Sequence, residues 1–121
     1  MKTLNNLICL DNNIKVYIPG TINMNQEIDN SKYVDIALNL FSGLFGGSNK
    51  HSALKLTEKV TGTWISNKEL IKEKINIVES YCTEKQLKDN ISEVIEFCEK
   101  LKYDLNQEAI SLEVNNKLYL I

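Results

Sequence analysis

Two spacings of the hydrophobic residues predict where the helices and strands of this chain lie. From residue 34 to residue 45 the apolar side chains recur every three or four positions, which predicts a first helix that ends at Gly46-Gly47. A capping box at Thr83–Gln86 begins a second helix, whose apolar stripe continues to Leu105 and which stops at Asn106. Each helix therefore has one face that must be buried.

Alternation with a period of two predicts strands at both ends of the chain. The apolar runs 7–10 and 14–18 flank a short polar turn, which predicts an N-terminal hairpin. The runs 110–114 and 117–121 flank Asn115-Asn116, a pair suited to a tight turn, and predict a C-terminal hairpin.

Two further strands are predicted between the helices. Residues 53–66 form one strand bent near 57–59, or two short strands, and Leu54 keeps the same parity as Val60 and Trp64 beyond the bend. The run 70–82 follows after a turn, with Ile75, Ile77 and Tyr81 on one face.

The order of these elements is typical of one α+β fold. A βαββαβ core, with an antiparallel sheet and two helices on one face, is the ferredoxin-like pattern, here extended by the N-terminal and C-terminal hairpins. The length of 121 residues fits a single domain over residues 1–121.

Composition and charge narrow the classes of partner. The formal net charge is -2 and all 14 basic residues are lysines, so the chain has neither a basic field for nucleic acid nor guanidinium groups. This disfavours nucleic-acid binding, although lysine still binds phosphate as a point charge. No stretch approaches the roughly 18 apolar residues that span a bilayer, so we expect no membrane contact.

Cysteine usage indicates a reducing compartment. The chain has an odd number of cysteines, namely Cys9, Cys82 and Cys98, without a CxxC spacing, and its N-terminal residues do not have the pattern of a signal peptide. These features predict a soluble cytoplasmic protein. Cys98 falls on the apolar face of the second helix, so we interpret it as a small buried hydrophobe.

The glycine-rich stretch FSGLFGGSNKH, residues 41–51, raises the question of a phosphate loop. Its glycines follow a helix, where backbone carbonyls point, whereas phosphate loops precede one. Their spacing matches neither GxGxxG nor GxxxxGK[ST]. We therefore interpret Gly46 and Gly47 as a left-handed helix cap, and Gly43 as a point of close packing.

Few residues are candidates for chemistry. His51 is the one histidine, and no cluster with metal-ligand spacing accompanies it, so we predict no metal site and assign no catalytic residue. Glu79 shares a strand face with Glu73, where two carboxylates could perform acid–base chemistry or form a solvated edge. Trp64 and Tyr81 are amphipathic aromatics suited to an interface. The candidate binding residues are Trp64, His51, Glu79 and Tyr81.

Four segments carry a resemblance to a known group of proteins. The order FSGLFGG, GTW, KINIVESY and NQEAISLEV resembles short bacterial and archaeal proteins of unknown function, in which a helix ends in Phe-Gly-Gly, a strand carries Gly-x-Trp, and Gln-Glu precedes the last strands. The resemblance covers residues 14–121. It implies a compact α+β domain, sometimes encoded on plasmids or phages, and no functional residues.

The absence of a catalytic constellation favours a non-catalytic protein-binding module. It would be a small regulator or inhibitor encoded on a mobile element, without cofactor, and it would form a homodimer through an open sheet face or edge. The alternative is a small dimeric enzyme or small-molecule-binding protein with a pocket between sheet and helices, served by His51, Glu79 or Tyr81. The second alternative is a nucleic-acid-binding protein.

Overall fold

The fold is α+β, with an antiparallel sheet and two helices, as predicted. The computed structural model describes residues 1–23, 25–46, 53–66 and 69–121, and the side chains of all of these except 53–66 and 69–73. Five strands form one sheet in the order β4-β5-β1-β6-β7, and β2 pairs with β3. The elements are β1 (Asn12–Ile18), β2 (Thr21–Ile22), β3 (Gln26–Glu27), α1 (Ser31–Phe41), β4 (Ala53–Ser66), β5 (Glu69–Cys82), α2 (Glu84–Leu105), β6 (Ser111–Val114) and β7 (Lys117–Leu120).

The hydrophobic core lies between the sheet and the two helices. In the central strand β1, Ile14, Val16 and Ile18 are fully buried, because every second side chain of a strand points to the same face. Complete burial of such a side chain stabilises the fold by about 1.5–3 kcal/mol. The helices complete the core with their apolar faces, through Val34, Ala37 and Phe41 of α1 and Val94, Cys98, Leu101 and Leu105 of α2.

The limits of α2 are set by its terminal hydrogen bonds. Thr83 and Gln86 form the predicted capping box, in which the Thr83 hydroxyl accepts from the Gln86 amide and the Gln86 side chain accepts from the Thr83 amide. At the other end, Asn106 has the left-handed conformation with φ 49°, as expected of a helix stop. Neither helix in the described part of the chain is long and apolar enough to cross a membrane.

The predicted N-terminal hairpin is wrong. Residues 7–10 form no strand, and Leu7 and Ile8 are 66% and 70% exposed. The polar residues Asn12 and Asn13, predicted as a turn, are the first residues of β1 and pair with Cys82 and Tyr81. An apolar run resembles a strand whether or not it has a partner, and residues 7–10 have no sheet neighbour among the residues that the structure describes.

The glycines have other roles than the sequence predicts. α1 ends at Phe41 and continues as a wider π-helical turn, Ser42–Gly46, and no described glycine has a positive φ. Gly46 is therefore not a left-handed cap, and Gly47 lies outside the described residues. A Cβ built on Gly43 would meet no atom within 4 Å, so that position makes no close contact either.

The long strands β4 and β5 pair with a change of register. Thr57 pairs with Ile77, but the next pair is Val60 with Ile75, so β4 contains one residue more than β5 between these points. This β-bulge lies where the sequence predicts a bend. Because one extra residue reverses the alternation, the positions of Leu54 and Trp64 belong to opposite faces of the hairpin, contrary to the predicted common parity.

Candidate functional site

A group of polar and charged side chains lies on the face of the sheet that the helices do not cover. Lys15 is at its centre, with its Nζ 3.7 Å from Oε2 of Glu79 and 3.4 Å from Oε2 of Glu113. The Asn13 amide donates to Glu79 at 2.8 Å, and the Tyr17 hydroxyl donates to Glu113 at 3.0 Å. We call these five residues the open-face cluster.

Strand alternation and register together build this cluster. Since Ile14, Val16 and Ile18 point into the core, Asn13, Lys15 and Tyr17 must point to the other face. Lys15 then pairs with Glu79 on β5 and with Glu113 on β6. Each carboxylate is therefore brought to the ammonium group from a different side by the pairing of the central strand.

The cluster is electrostatically coupled. Burial lowers the pKa of Lys15, but the charges of Glu113 and Glu79 outweigh this and raise it above its usual value. Burial and the hydrogen bond to Glu113 raise the pKa of Tyr17, so its phenol keeps its proton at neutral pH. Two carboxylates and one ammonium give a net charge of -1, which suits a ligand with a positive group.

Two of the four predicted site residues lie at this face. The Glu79 side chain is only 8% exposed and belongs to the cluster. Tyr81 follows two positions along β5 and is 42% exposed. The backbone of Trp64 pairs with Ile71 in β4 and β5. His51 lies outside the described residues.

Four members of the cluster were missed from the sequence: Asn13, Lys15, Tyr17 and Glu113. The alternation of β1 shows that Lys15 and Tyr17 share a face, which was a usable signal. No local pattern shows that Glu113, 98 positions after Lys15, pairs with it, because that contact depends on strand order.

The cysteines do not contribute a nucleophile to this face. Burial raises the pKa of Cys82 to about 11 and that of Cys98 to about 12, so both remain thiols at neutral pH. Cys9 is exposed near the N-terminus. Among the described residues, no three His, Cys, Asp or Glu side chains come together as metal ligands. The absence of a cofactor stays a prediction.

An apolar groove of about 310 Å³ opens on the helix side, between α2 and the edge of the sheet. Neither Glu79 nor Tyr81 borders it, so the predicted pocket between sheet and helices does not unite the candidate residues. Its walls come from α2 (Leu87, Lys88, Ile91 and Ile95), the last two strands (Leu112, Val114 and Tyr119) and Ile121.

Comparison with known proteins shows that the fold is similar to that of an enzyme. No family model matches the chain, and no curated protein matches it. The phage SAM lyase in its apo state is 12% identical, with a TM-score of 0.58 over 91% of this chain and 87% of that one. A phage SAM lyase in complex with S-methyl-5'-thioadenosine is 14% identical, with a TM-score of 0.60 over 91% of this chain and 88% of that one.

A third solved structure is more distant. The divalent ion tolerance protein CutA1 from Ehrlichia chaffeensis is 8% identical, with a TM-score of 0.48 over 88% of this chain and 81% of that one. At these identities the likeness concerns the fold, and it assigns no residue of this chain.

These comparisons overturn two predictions made from the sequence. The preferred interpretation, a non-catalytic protein-binding module that is not an enzyme, is wrong, because the similar fold is that of a lyase. The alternative of a small enzyme agrees better with the findings. The sequence shows no catalytic constellation because the polar residues of the open-face cluster come from three strands, which only the sheet pairing brings together.

Proposed function

We propose that this protein is an enzyme that cleaves S-adenosylmethionine and releases S-methyl-5'-thioadenosine. The observation that carries the proposal is the likeness to the phage SAM lyase over 91% of this chain. Because one fold hosts many activities, the proposal also needs a suitable site. The open-face cluster supplies candidate groups for it.

The charges of the cluster suit such a substrate. S-adenosylmethionine carries a sulfonium cation, an amino group and a carboxylate. The carboxylate of Glu79 or Glu113 would attract the substrate amino group, while the Lys15 ammonium would attract the substrate carboxylate. Tyr81, exposed two positions from Glu79, offers a ring on which a nucleoside base can stack.

The chemistry limits what the carboxylates can do. Cleavage of the bond between the sulfur and the γ-carbon of the methionine part returns both electrons to sulfur, which becomes a neutral thioether. As this bond breaks, the substrate's own carboxylate oxygen bonds to the γ-carbon and closes a lactone, or a base removes a proton from the β-carbon and a carbon–carbon double bond forms. Neither route uses water. Since the sulfonium charge disappears in this step, a carboxylate held beside sulfur favours the ground state. Glu79 or Glu113 would therefore bind the substrate amino group or accept the proton.

The test is direct detection of product. Purified protein is incubated with S-adenosylmethionine, and S-methyl-5'-thioadenosine is measured over time by liquid chromatography and mass spectrometry. We expect turnover above the spontaneous rate, and a loss of at least 100-fold in Glu79→Gln and Glu113→Gln, typical of the removal of an acid–base group.

Glu108→Gln is the matched control, because Glu108 is exposed and lies outside the cluster. It should keep full activity. If the wild-type protein forms no product above the blank, the lyase proposal fails. If product forms but both cluster variants keep full activity, the enzyme is real and the site lies elsewhere.

We also propose that the architecture is the ferredoxin-like one. In support, β1, the main-sheet strand before α1, lies between β5, which precedes α2, and β6, which follows α2. The sheet order is β4-β5-β1-β6. This is the order in which two βαβ units interleave. Residues 1–121 would then form one domain, which a single cooperative unfolding transition in urea would support.

A further inference from the structure

The apolar stripe of α2 is covered over only part of its length. Val94, Cys98 and Leu101 of this stripe belong to the closed core. Leu87, Ile91 and Ile95 remain partly exposed as a wall of the groove described above. The helix thus leaves part of its apolar surface open at the edge of the sheet.

A second apolar surface is exposed at the start of the chain. In the segment before β1, which we call the N-terminal segment (residues 1–11), Leu4 is 84% exposed, Leu7 66% and Ile8 70%. Isolated apolar residues on a surface are ordinary, but three within five positions of one exposed segment form an apolar patch. The run Leu7–Leu10 also has the pattern of a strand, although it pairs with no strand in the described part of the chain.

The groove borders a sheet edge that can accept a strand. β7 is the last strand in the sheet order, so its outer backbone groups have no neighbouring strand in the described residues. Tyr119, at the centre of β7, is also part of the groove wall. A strand added at this edge would therefore gain backbone hydrogen bonds and would place alternate side chains in the groove.

We propose that the N-terminal segment of a second copy of this chain pairs with the edge of β7 and fills the groove with its apolar residues. The exchange is reciprocal between two copies, each of which gives one segment and receives one, and it therefore forms a closed, two-fold symmetric dimer. This proposal is independent of the lyase activity.

The short stretch of chain before β1 makes it easier for the N-terminal segment of a second copy to reach the edge of β7 than for the molecule's own segment. The start of β1 is bound to the β6–β7 turn, because the Asn115 side chain accepts from the Asn13 amide and donates to Asn12. From β1 to the outer side of β7 is three strand spacings, about 14 Å. The four residues Ile8–Asp11 span at most about 14 Å, so crossing over the turn would use them entirely. A segment from another copy needs no crossing.

The first test measures association. We expect the wild-type protein to be a dimer in sedimentation velocity. In the double variant Leu7→Lys with Ile8→Lys, the dissociation constant of the dimer should rise at least 10-fold. Both residues are exposed, so the fold of the single chain should not change. The matched control, Asn5→Lys with Asn6→Lys, adds the same charge to the same segment and should remain dimeric.

The second test identifies which segment occupies the groove. Cys9 is the exposed native thiol, and Lys88→Cys puts a second thiol on the groove wall. A short bismaleimide should then give a covalent dimer, which a denaturing gel resolves. Two controls should give little covalent dimer. One is Lys100→Cys, which lies exposed on the same helix outside the groove, and the other is Lys88→Cys combined with Cys9→Ser.

Three results would overturn the proposal. The first is a wild-type protein that is monomeric at all concentrations. The second is association that the Leu7→Lys and Ile8→Lys changes leave unaltered. The third is cross-linking of Cys9 to the groove within one chain, or no cross-linking at all.

Discussion

At the scale of single residues, Gly20 is the position where a side chain has no room. A Cβ built there would lie 2.0 Å from the backbone oxygen of Lys74, an atom of β5 that cannot rotate away. We expect Gly20→Ala to lower the free energy of unfolding by about 1–3 kcal/mol, since the backbone must shift. Urea unfolding measures this.

The control for Gly20 is another glycine in the same chain. Gly43 has an ordinary negative φ and open space around it, so Gly43→Ala should be neutral or stabilise the protein by up to about 1 kcal/mol. Equal losses in the two variants would mean that glycine flexibility, and not the contact with Lys74, determines the effect.

Cys98 links the stability of the fold to alkaline pH. Its pKa is about 12 in the folded protein against 9.0 ordinarily, because it is buried. Above pH 9 the unfolded chain loses this proton while the folded chain keeps it, so stability falls as the pH rises towards 12. The slope is at most about 1.4 kcal/mol per pH unit for one thiol.

The expected result is a shallower alkaline decline in Cys98→Ala than in the wild type, measured by urea unfolding at several pH values from 8 to about 11, on the linkage argument. The variant loses some stability at neutral pH because it leaves a small cavity. Cys9→Ala, at an exposed position, should keep the wild-type slope. Identical slopes in all three proteins would show that Cys98 does not govern this decline.

The same scale shows what the sequence could and could not predict of the candidate site. Glu79 was found because two carboxylates on one strand face form a recognisable pattern. Lys15 could have been found from the alternation of β1. Glu113 could not, because its contact with Lys15 exists only through the pairing of β1 with β6.

At the scale of elements, α2 has its N-terminus defined by side chains. The Thr83 hydroxyl accepts from the Gln86 amide at 3.2 Å, which satisfies one of the free amides of the first turn. We expect Thr83→Ala to cost about 1 kcal/mol. Thermal unfolding should show a decrease of about 4 °C in Tm.

Thr3→Ala is the matched control for the cap. Thr3 precedes the short helical turn Leu4–Asn6, but its side chain makes no capping hydrogen bond there. Its Tm should equal that of the wild type. If Thr83→Ala also leaves Tm unchanged, the packing of α2 and not its cap fixes where the helix begins.

The elements differ in how far the sequence predicts them. α2 is predicted well, because a capping box, a stripe of period 3.6 and a left-handed asparagine all agree. The N-terminal hairpin is not, because an apolar run looks like a strand whether or not a partner strand exists. The strand alternation of β1 was correct, although it begins two residues earlier than the apolar run.

At the scale of the whole molecule, ligand binding should change stability. A ligand that binds only the folded state at 100 times its dissociation constant adds about 2.7 kcal/mol. We therefore expect saturating S-methyl-5'-thioadenosine to raise Tm by several degrees. The rise should be much smaller in Tyr81→Ala, compared with its own ligand-free Tm, because this ring is proposed to stack on the base. Lys15→Met and Glu79→Gln should keep most of the rise, since the product lacks the amino and carboxylate groups that these residues would bind.

Glu108→Gln serves again as the control and should show the full rise. Adenosine, which lacks the methylthio group, tests which part of the nucleoside is bound. A full rise in Tyr81→Ala would mean that this ring does not contact the nucleoside, whereas no rise in the wild type would contradict the proposed binding of this product.

The strand order is the feature of the whole molecule that the local sequence reveals least. Neighbouring segments of the chain predict hairpins, but β1 lies between β5 and β6, which are distant in sequence. The helices restrict this choice, because both must cover the same face of the sheet. The α+β class was therefore predictable, while the pairs that form the cluster were not.

The β-bulge between Thr57 and Val60 has a consequence for how this protein can evolve. Deleting one residue there would restore regular pairing, because Val60 would still pair with Ile75 and each later position of β4 would keep its partner on β5. The bulge therefore absorbs the extra residue at one point of the hairpin. A single insertion or deletion at this point can be accepted without moving any other position of the hairpin to the opposite face, so the length of the chain can vary there while the surface is kept.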